Sequence, residues 1–229
     1  MPTLFETPLL IIEQVWAVIP FKRIQQAKQR LAPILSSEER KFLSLKMLED
    51  VLEAATASKV FDGVLVATNC EEAVPIIREK GSIYLQTSED LGLNHAAKEA
   101  AEWLLTHNFQ KMCFFPADIP LAKASEFTHL VSCHSVHKGI TIVPSHDKGG
   151  TNCLILSPPN LLPFCFGADS YAKHLREGLR LNLSCQTKFL DGIGLDVDTP
   201  SDLRAISIRP TQTLTQNFLE KIRIHSRLN

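Results

Sequence analysis

VWAVIPFKRIQQAKQRLAP, Val15 to Pro33, carries the first decision about the fold. Its opening seven residues, VWAVIPF, are apolar and rich in β-branched and aromatic side chains, which reads as a buried strand. The connection that follows contains no glycine, and the first glycine of the chain is Gly63. A Walker-type phosphate loop and a G-x-G-x-x-G turn both need glycines so that the backbone can approach phosphate closely. Their absence disfavours a P-loop NTPase and an ordinary dinucleotide dehydrogenase. What replaces the glycines is basic: Lys22, Lys28 and Arg30.

Outward from this strand, apolar runs alternate with helical patterns. GVLVAT (63–68), SIYLQ (82–86), the start of KMCFFPADIP (111–120), GITIVPS (139–145) and NCLILS (152–157) predict strands, as do QTKFL (186–190) and GIGLDV (192–197). Between them lie helical stretches. In SSEERKFLSLKMLEDVLEAA (36–55), Ser36 and Glu39 form a capping box, and Phe42, Leu45, Leu48 and Leu52 form an apolar face. Further helices are expected over 71–81, 94–108, 124–134 and 169–178, and from Thr199. This alternation predicts an α/β fold with a mostly parallel sheet and helices on both faces. Ligands of such sheets bind beyond the carboxyl ends of the strands.

Bulk properties narrow the class. A chain of 229 residues suits one α/β domain or two small ones, and 45% apolar residues bury a substantial core. A net charge of −1 provides no global field for nucleic acid or a membrane surface, so neither is an expected partner. Six cysteines without a C-x-x-C pair read as small core residues in a reducing compartment. MPTLFETPLLIIEQ lacks a basic n-region, and its apolar run is too short to span a bilayer, so a soluble cytoplasmic protein is expected. In the tail, Leu214, Phe218 and Ile222 mark an amphipathic helix that packs back on the domain or forms a homodimer contact.

Three places carry charge at strand ends. In LDVDTP (195–200), Asp196 and Asp198 flank Val197; on a strand they would face one side, and a pair of bare carboxylates calls for a cation between them. Their hard oxygens suit magnesium, while Thr199 as N-cap and Pro200 at N1 start a helix. In FFPADIP, Asp118 emerges just past a central strand between Pro116 and Pro120, which fix the loop. The third place is the basic connection itself, where side-chain cations could hold phosphate as backbone amides do elsewhere. The SCHSVH cluster (132–137), with Cys133, His134 and His137, has poor zinc spacing and reads better as a helix end.

The order of motifs then becomes specific: P-x-K-x(5)-K-x-R-L-A-P (20–33), G-L-N-x-A (92–96), P-A-D-I-P, G-T-N (150–152), F-G-x-x-S-x-x-x-H (166–174) and L-D-V-D-T-P. From about Trp16 to Leu203 the chain resembles the CofC/FbiD family, guanylyltransferases of deazaflavin coenzyme F(420) biosynthesis. The resemblance implies a single-domain GT-A-like (nucleotide-diphospho-sugar transferase-like) three-layer α/β/α fold over 15–208. An N-terminal extension (1–14) and a C-terminal helical tail (209–229) would lie outside it.

It further implies transfer of a guanylyl group from GTP to a small phosphorylated carboxylic acid (2-phospho-L-lactate, phosphoenolpyruvate or 3-phosphoglycerate), with release of pyrophosphate. A deazaflavin transferase would then consume the product. By motif match Asp118, Asp196 and Asp198 would hold Mg2+, and Lys22, Lys28 and Arg30 the triphosphate, with a catalytic role. Asn94 would lie near the nucleoside, and Thr151, Gly167 and Ser170 would bind the acceptor acid. Gly167 and Ser170 stand where a helix begins, where free N–H groups favour an anion. Asp169 departs from the small neutral residue expected there; it could cap that helix, and Lys173 and His174 could offset its charge or be surface residues. Two rivals are another GT-A nucleotidyltransferase, acting on a sugar phosphate or molybdopterin, and a GTP- or magnesium-binding module without turnover.

Overall fold

The structure, a computed structural model, describes residues 14–22, 24, 27–87, 92–134 and 138–228. The expected extension over 1–14 therefore lies, but for Gln14, outside the described residues, as does His137. Among the described residues seven strands form one sheet: β1 (Val15–Phe21), β2 (Gly63–Thr68), β3 (Ile83–Gln86), β4 (Lys111–Phe114), β5 (Gly139–Pro144), β6 (Thr151–Ser157) and β7 (Ser184–Thr187). Their order is β3-β2-β1-β4-β6-β5-β7, and all neighbours are parallel except β6, which runs against both β4 and β5. The chain winds outward from β1 to β3, then crosses back to place β4 on the other side of β1. The ends of β1 and β4 thus form a topological switch point, where a crevice opens.

All seven residues of β1 are buried, and they alternate between two cores. Ala17 and Ile19 face helices α1 (Ser37–Ala57) and α4 (Ala124–Cys133), among others; Trp16 and Val18 face α3 (Leu93–Thr106) and α5 (Ser170–Arg180). Two apolar faces make the continuous apolar run of VWAVIPF necessary. The Ser36–Glu39 capping box forms as expected, but the face of α1 is turned from the expected one. Leu43, Met47, Leu48, Val51 and Leu52 are buried, whereas Phe42 is 46% exposed beside Phe218. The cause is a third core, in which Leu43 and Met47 meet Leu203 of α6 (Pro200–Ser207) and Leu219 of α7 (Leu214–Lys221). The tail thus packs on α1. Asp50 fixes it by accepting from the N–H groups of Leu214 and Thr215, both at 2.8 Å.

Two strand expectations need correction. The last strand is Ser184–Thr187, earlier than QTKFL, and GIGLDV forms turns and irregular backbone. Its glycines explain this. A side chain at Gly192 would collide with the carbonyl of Leu121, and one at Gly194 with the carbonyl of Leu190, so the segment coils tightly against α4 instead of extending along a neighbour. Among the described residues no helix is long and apolar enough to cross a membrane.

Candidate active site

Asp118 sits just beyond β4, between the buried Ala117 and Ile119, so the loop is anchored on either side of the carboxylate. The coiled segment 191–198 is delivered to the same place by three ties. Glu126 of α4 accepts from Gly192 N–H at 2.9 Å, Asn152 of β6 donates to Ile193 O at 3.1 Å, and Val197 N–H donates to Asp118 O at 2.9 Å. Val197 is buried, so Asp196 and Asp198 turn the other way even though the backbone is not a strand. Thr199 caps α6 and Pro200 occupies its first turn. Asp202 closes that capping box and also accepts from Asp198 N–H at 3.0 Å.

The cation between the acids is the chain's own. Lys28, in a left-handed conformation (φ 52°), directs Nζ onto Asp118 Oδ2 and, at 2.7 Å, Asp198 Oδ1. Its side chain is only 9% exposed. Burial alone would lower its pKa, but the charges of Asp118 and Asp198 outweigh that and raise it, so Lys28 is an ammonium. Among the described residues Asp196 has no such partner. Burial, and then the charge of Asp118, raise its carboxyl, with Asn152 Nδ2 at 3.1 Å partly offsetting them. The loop bearing Lys28 is held from beneath by the buried Arg40, whose guanidinium donates to Ala27 O at 3.3 Å and to Leu35 O at 2.8 Å. Arg30 and Lys22 are exposed. Lys22 lines a small, open groove with Phe21, Asn69, Thr87, Gly92 and Leu93, at the ends of β1 and β2 and the start of α3.

Donor chemistry and geometry bear differently on a metal. Among the described residues Asp118 Oδ1 is buried without a partner, and all three acids offer hard oxygens, which fits Mg2+. Yet among the described residues no three acid, histidine or cysteine groups gather tightly enough to hold a metal by themselves. Two carboxylates completed by nucleotide phosphates is the arrangement magnesium usually takes, and these residues fit it.

Across β6 the site changes character. Asn152 faces the acids, while Thr151, the residue before it, places Oγ1 3.0 Å from His174 Nδ1. His174 is wholly buried and so not a surface residue, and its Nε2 accepts from Cys165 N–H at 3.0 Å. Asn94, at the start of α3, is spent on the same loop: Oδ1 accepts from Phe166 N–H at 2.7 Å and Nδ2 donates to Phe166 O at 3.3 Å. Gly167 (φ 114°) and Asp169 (φ 56°) bend the chain into α5, where Ser170 is buried. Asp169 caps with its backbone carbonyl only, since Lys173 N–H bonds its O at 3.0 Å and its side chain makes no cap. Lys173 is exposed and donates to Ala168 O at 2.7 Å.

Sequence reasoning passed over Asn152 and Arg40. Asn152 was visible in the G-T-N motif; Arg40 gave no signal, because a buried arginine and a surface arginine look alike on a helix. His134 is buried with ring nitrogens 2.8 Å from Thr141 Oγ1 and Ser157 Oγ, which supports the helix-end reading over zinc.

A three-layer sheet with one reversed strand and an acid-lined cleft at its switch point defines a protein of the nucleotide-diphospho-sugar transferase-like class. It superimposes on a solved nucleotide-diphospho-sugar transferase-type protein from Desulfovibrio desulfuricans G20 with a TM-score of 0.76, at 15% identity over 93% of this chain and 97% of that one. Within that class, the chain belongs to the CofC-like guanylyl transferase family, which it matches over residues 15–229. It is 35% identical over 192 residues to the 3-phospho-D-glycerate guanylyltransferase of Colwellia psychrerythraea, covering 83% of this chain and 90% of the relative. It is 31% identical to the phosphoenolpyruvate guanylyltransferase of Sphaerobacter thermophilus, over 83% and 91%. With the 2-phospho-L-lactate guanylyltransferase of Methanocaldococcus vulcanius it shares 33%, over 91% of each.

Proposed function

We propose that this chain is a cytoplasmic guanylyltransferase joining GTP to a small phosphorylated carboxylic acid and releasing pyrophosphate, in the assembly of a deazaflavin coenzyme of the F(420) type. The observation that carries the reading is the pairing of an acid cluster holding a buried ammonium with the hydrogen-bonded Thr151–His174 pair at the head of α5, joined through adjacent residues of β6. The first suits the triphosphate and the second suits an anionic acceptor. Family membership supplies the guanylyl group, and the relatives supply the three candidate acids.

In the mechanism, a phosphate oxygen of the acceptor attacks the α-phosphorus of GTP; that P–O bond forms as the bond to the β-phosphate oxygen breaks, and pyrophosphate leaves. The attacking phosphate is ionised at neutral pH, so no side chain need remove a proton. Two carboxylates from the set Asp118, Asp196 and Asp198, together with the nucleotide, would hold Mg2+, which when bound supplies charge neutralisation to the nucleotide phosphates. Lys28, released from the acids, would follow the negative charge onto the leaving pyrophosphate, with Lys22 and Arg30 at the rim. Thr151, Ser170 and the N–H groups at the start of α5 orient the acceptor, so positioning provides much of the rate. The open groove beside Lys22, next to Asn94 at the start of α3, is where we place the nucleoside.

The test offers GTP, ATP or CTP with magnesium and each of the three acids separately, and reads pyrophosphate. Release is expected with GTP and one acid. Release with a sugar phosphate instead, or with none of these acceptors, overturns the proposal. A coupled assay with the downstream deazaflavin transferase would trap an unstable product.

A further inference from the structure

We infer that His174 is a positioning residue for the acceptor acid, presenting the hydroxyl proton of Thr151 to it and locking the backbone at Cys165; the inference rests on the guanylyltransferase reading above. A backbone N–H only donates, so Cys165 N–H at 3.0 Å from His174 Nε2 requires that nitrogen to be the bare acceptor. A neutral ring then carries its proton on Nδ1, which at 3.0 Å donates to Thr151 Oγ1. The hydroxyl of Thr151, already accepting, keeps its own proton free, and among the described residues it has no other partner.

Burial enforces this state. The ring is wholly enclosed, Phe166 stands edge-on at 4.9 Å, and desolvation lowers the imidazole to a pKa of about 4, so it stays neutral. The same ring ties together the start of β6, the loop at Cys165 and the first turns of α5. Ser170 lies one helical turn before His174 on the same face. Asn94 fixes the next peptide of the loop through both groups of Phe166. Three segments that would each contribute to acceptor binding are thus set by one uncharged side chain that never touches the substrate.

The experiment measures KM for the acid and for GTP separately in the full chain and in His174→Phe, His174→Asn, Thr151→Val and the double variant His174→Phe/Thr151→Val. In parallel, the tautomer of His174 in the unliganded wild type is read by 15N NMR. His174→Phe should raise the acid KM about tenfold or more, as expected for losing a hydrogen bond to an ionised group, while GTP KM moves by less than about twofold. Asn, whose amide can still donate toward Thr151, should recover part of the loss. In the Thr151→Val background, changing His174 should cost clearly less than in the wild type, since only the lock at Cys165 is left to lose. The spectrum should show the proton on Nδ1 at neutral pH. Parallel rises in both KM values, full additivity, or a proton on Nε2 would each overturn the inference. If a variant fails to fold, the wild-type spectrum still decides. If wild-type protein releases no pyrophosphate from GTP with any acid, the functional reading fails, and the tautomer remains a separate result.

Discussion

The two sides of the cleft solve opposite problems. One collects three carboxylates and neutralises two of them with a single buried ammonium; the other holds a loop and a helix start with an imidazole kept neutral and an asparagine. Charged groups on irregular segments suit a partner that arrives with its own counter-charge. Neutral donors on regular elements suit an anion, because they attract it without presenting a fixed charge. The difference teaches where substitutions should act: on turnover at the acid side, and on binding of one substrate at the neutral side.

The most severe break in the comparison is Asp118→Asn. The change preserves shape but removes the charge that holds Lys28 and leaves the unpartnered Oδ1 position without a carboxylate. Turnover should fall by about 10²–10³ or more, the range seen when a preorganised electrostatic group is lost. A second reading is independent of activity: the shift of the melting temperature by Mg2+ and GTP in the wild type should shrink in the variant. Wild-type pyrophosphate release, or an unchanged thermal shift, would remove Asp118 from the metal assignment.

How legible this was in the sequence also divides by side. The parallel core was readable because strands buried on both faces are written as uninterrupted apolar runs, as in β1. Asp118 and Asp198 were readable because acids at strand ends are few. GIGLDV misled, since its apolar alternation resembles a strand while Gly192 and Gly194 permit backbone approaches that only a fold reveals. Lys28 was legible as a cation but not as the partner of two acids, because its contacts with Asp118 and Asp198 span 90 and 170 residues. On the neutral side almost nothing was legible: whether a histidine on a helix is buried, and which nitrogen bears its proton, depends on a loop nine residues away at Cys165.

A gentler break comes from pH. His174 titrates near 4 in the fold and near 6.5 when unfolded, so the unfolded chain binds the extra proton between those values. Stability from this group is complete above about 6.5 and lost as pH falls toward 4, by up to about 3 kcal/mol. Urea melts of His174→Phe between pH 4 and 7 should lack that rise with pH. A variant profile as steep as the wild type would show that the ring is not held neutral.

The smallest effect sharpens the contrast most, because its sign is reversed. Asp196 is a carboxyl whose folded pKa lies above its ordinary 3.8, chiefly through burial and then through Asp118. The folded chain therefore holds the proton longer than the unfolded chain, and stability falls as pH rises from about 3.8 through the folded value. Above that window the cost is constant, and the metal-free protein carries an acid it would be more stable without. Asp196→Asn keeps the shape and can still meet Asn152 after a turn of either amide. In metal-free buffer at pH 7 it should gain about 0.5–2 kcal/mol in urea unfolding while losing turnover, the trade expected where function holds like charges together. Two variants then separate opposing slopes: His174→Phe exposes the fall due to Asp196, and Asp196→Asn exposes the rise due to His174. A destabilised Asp196→Asn at neutral pH would mean that the carboxylate is already satisfied in the free protein, and that the acid side needs no arriving cation to be stable.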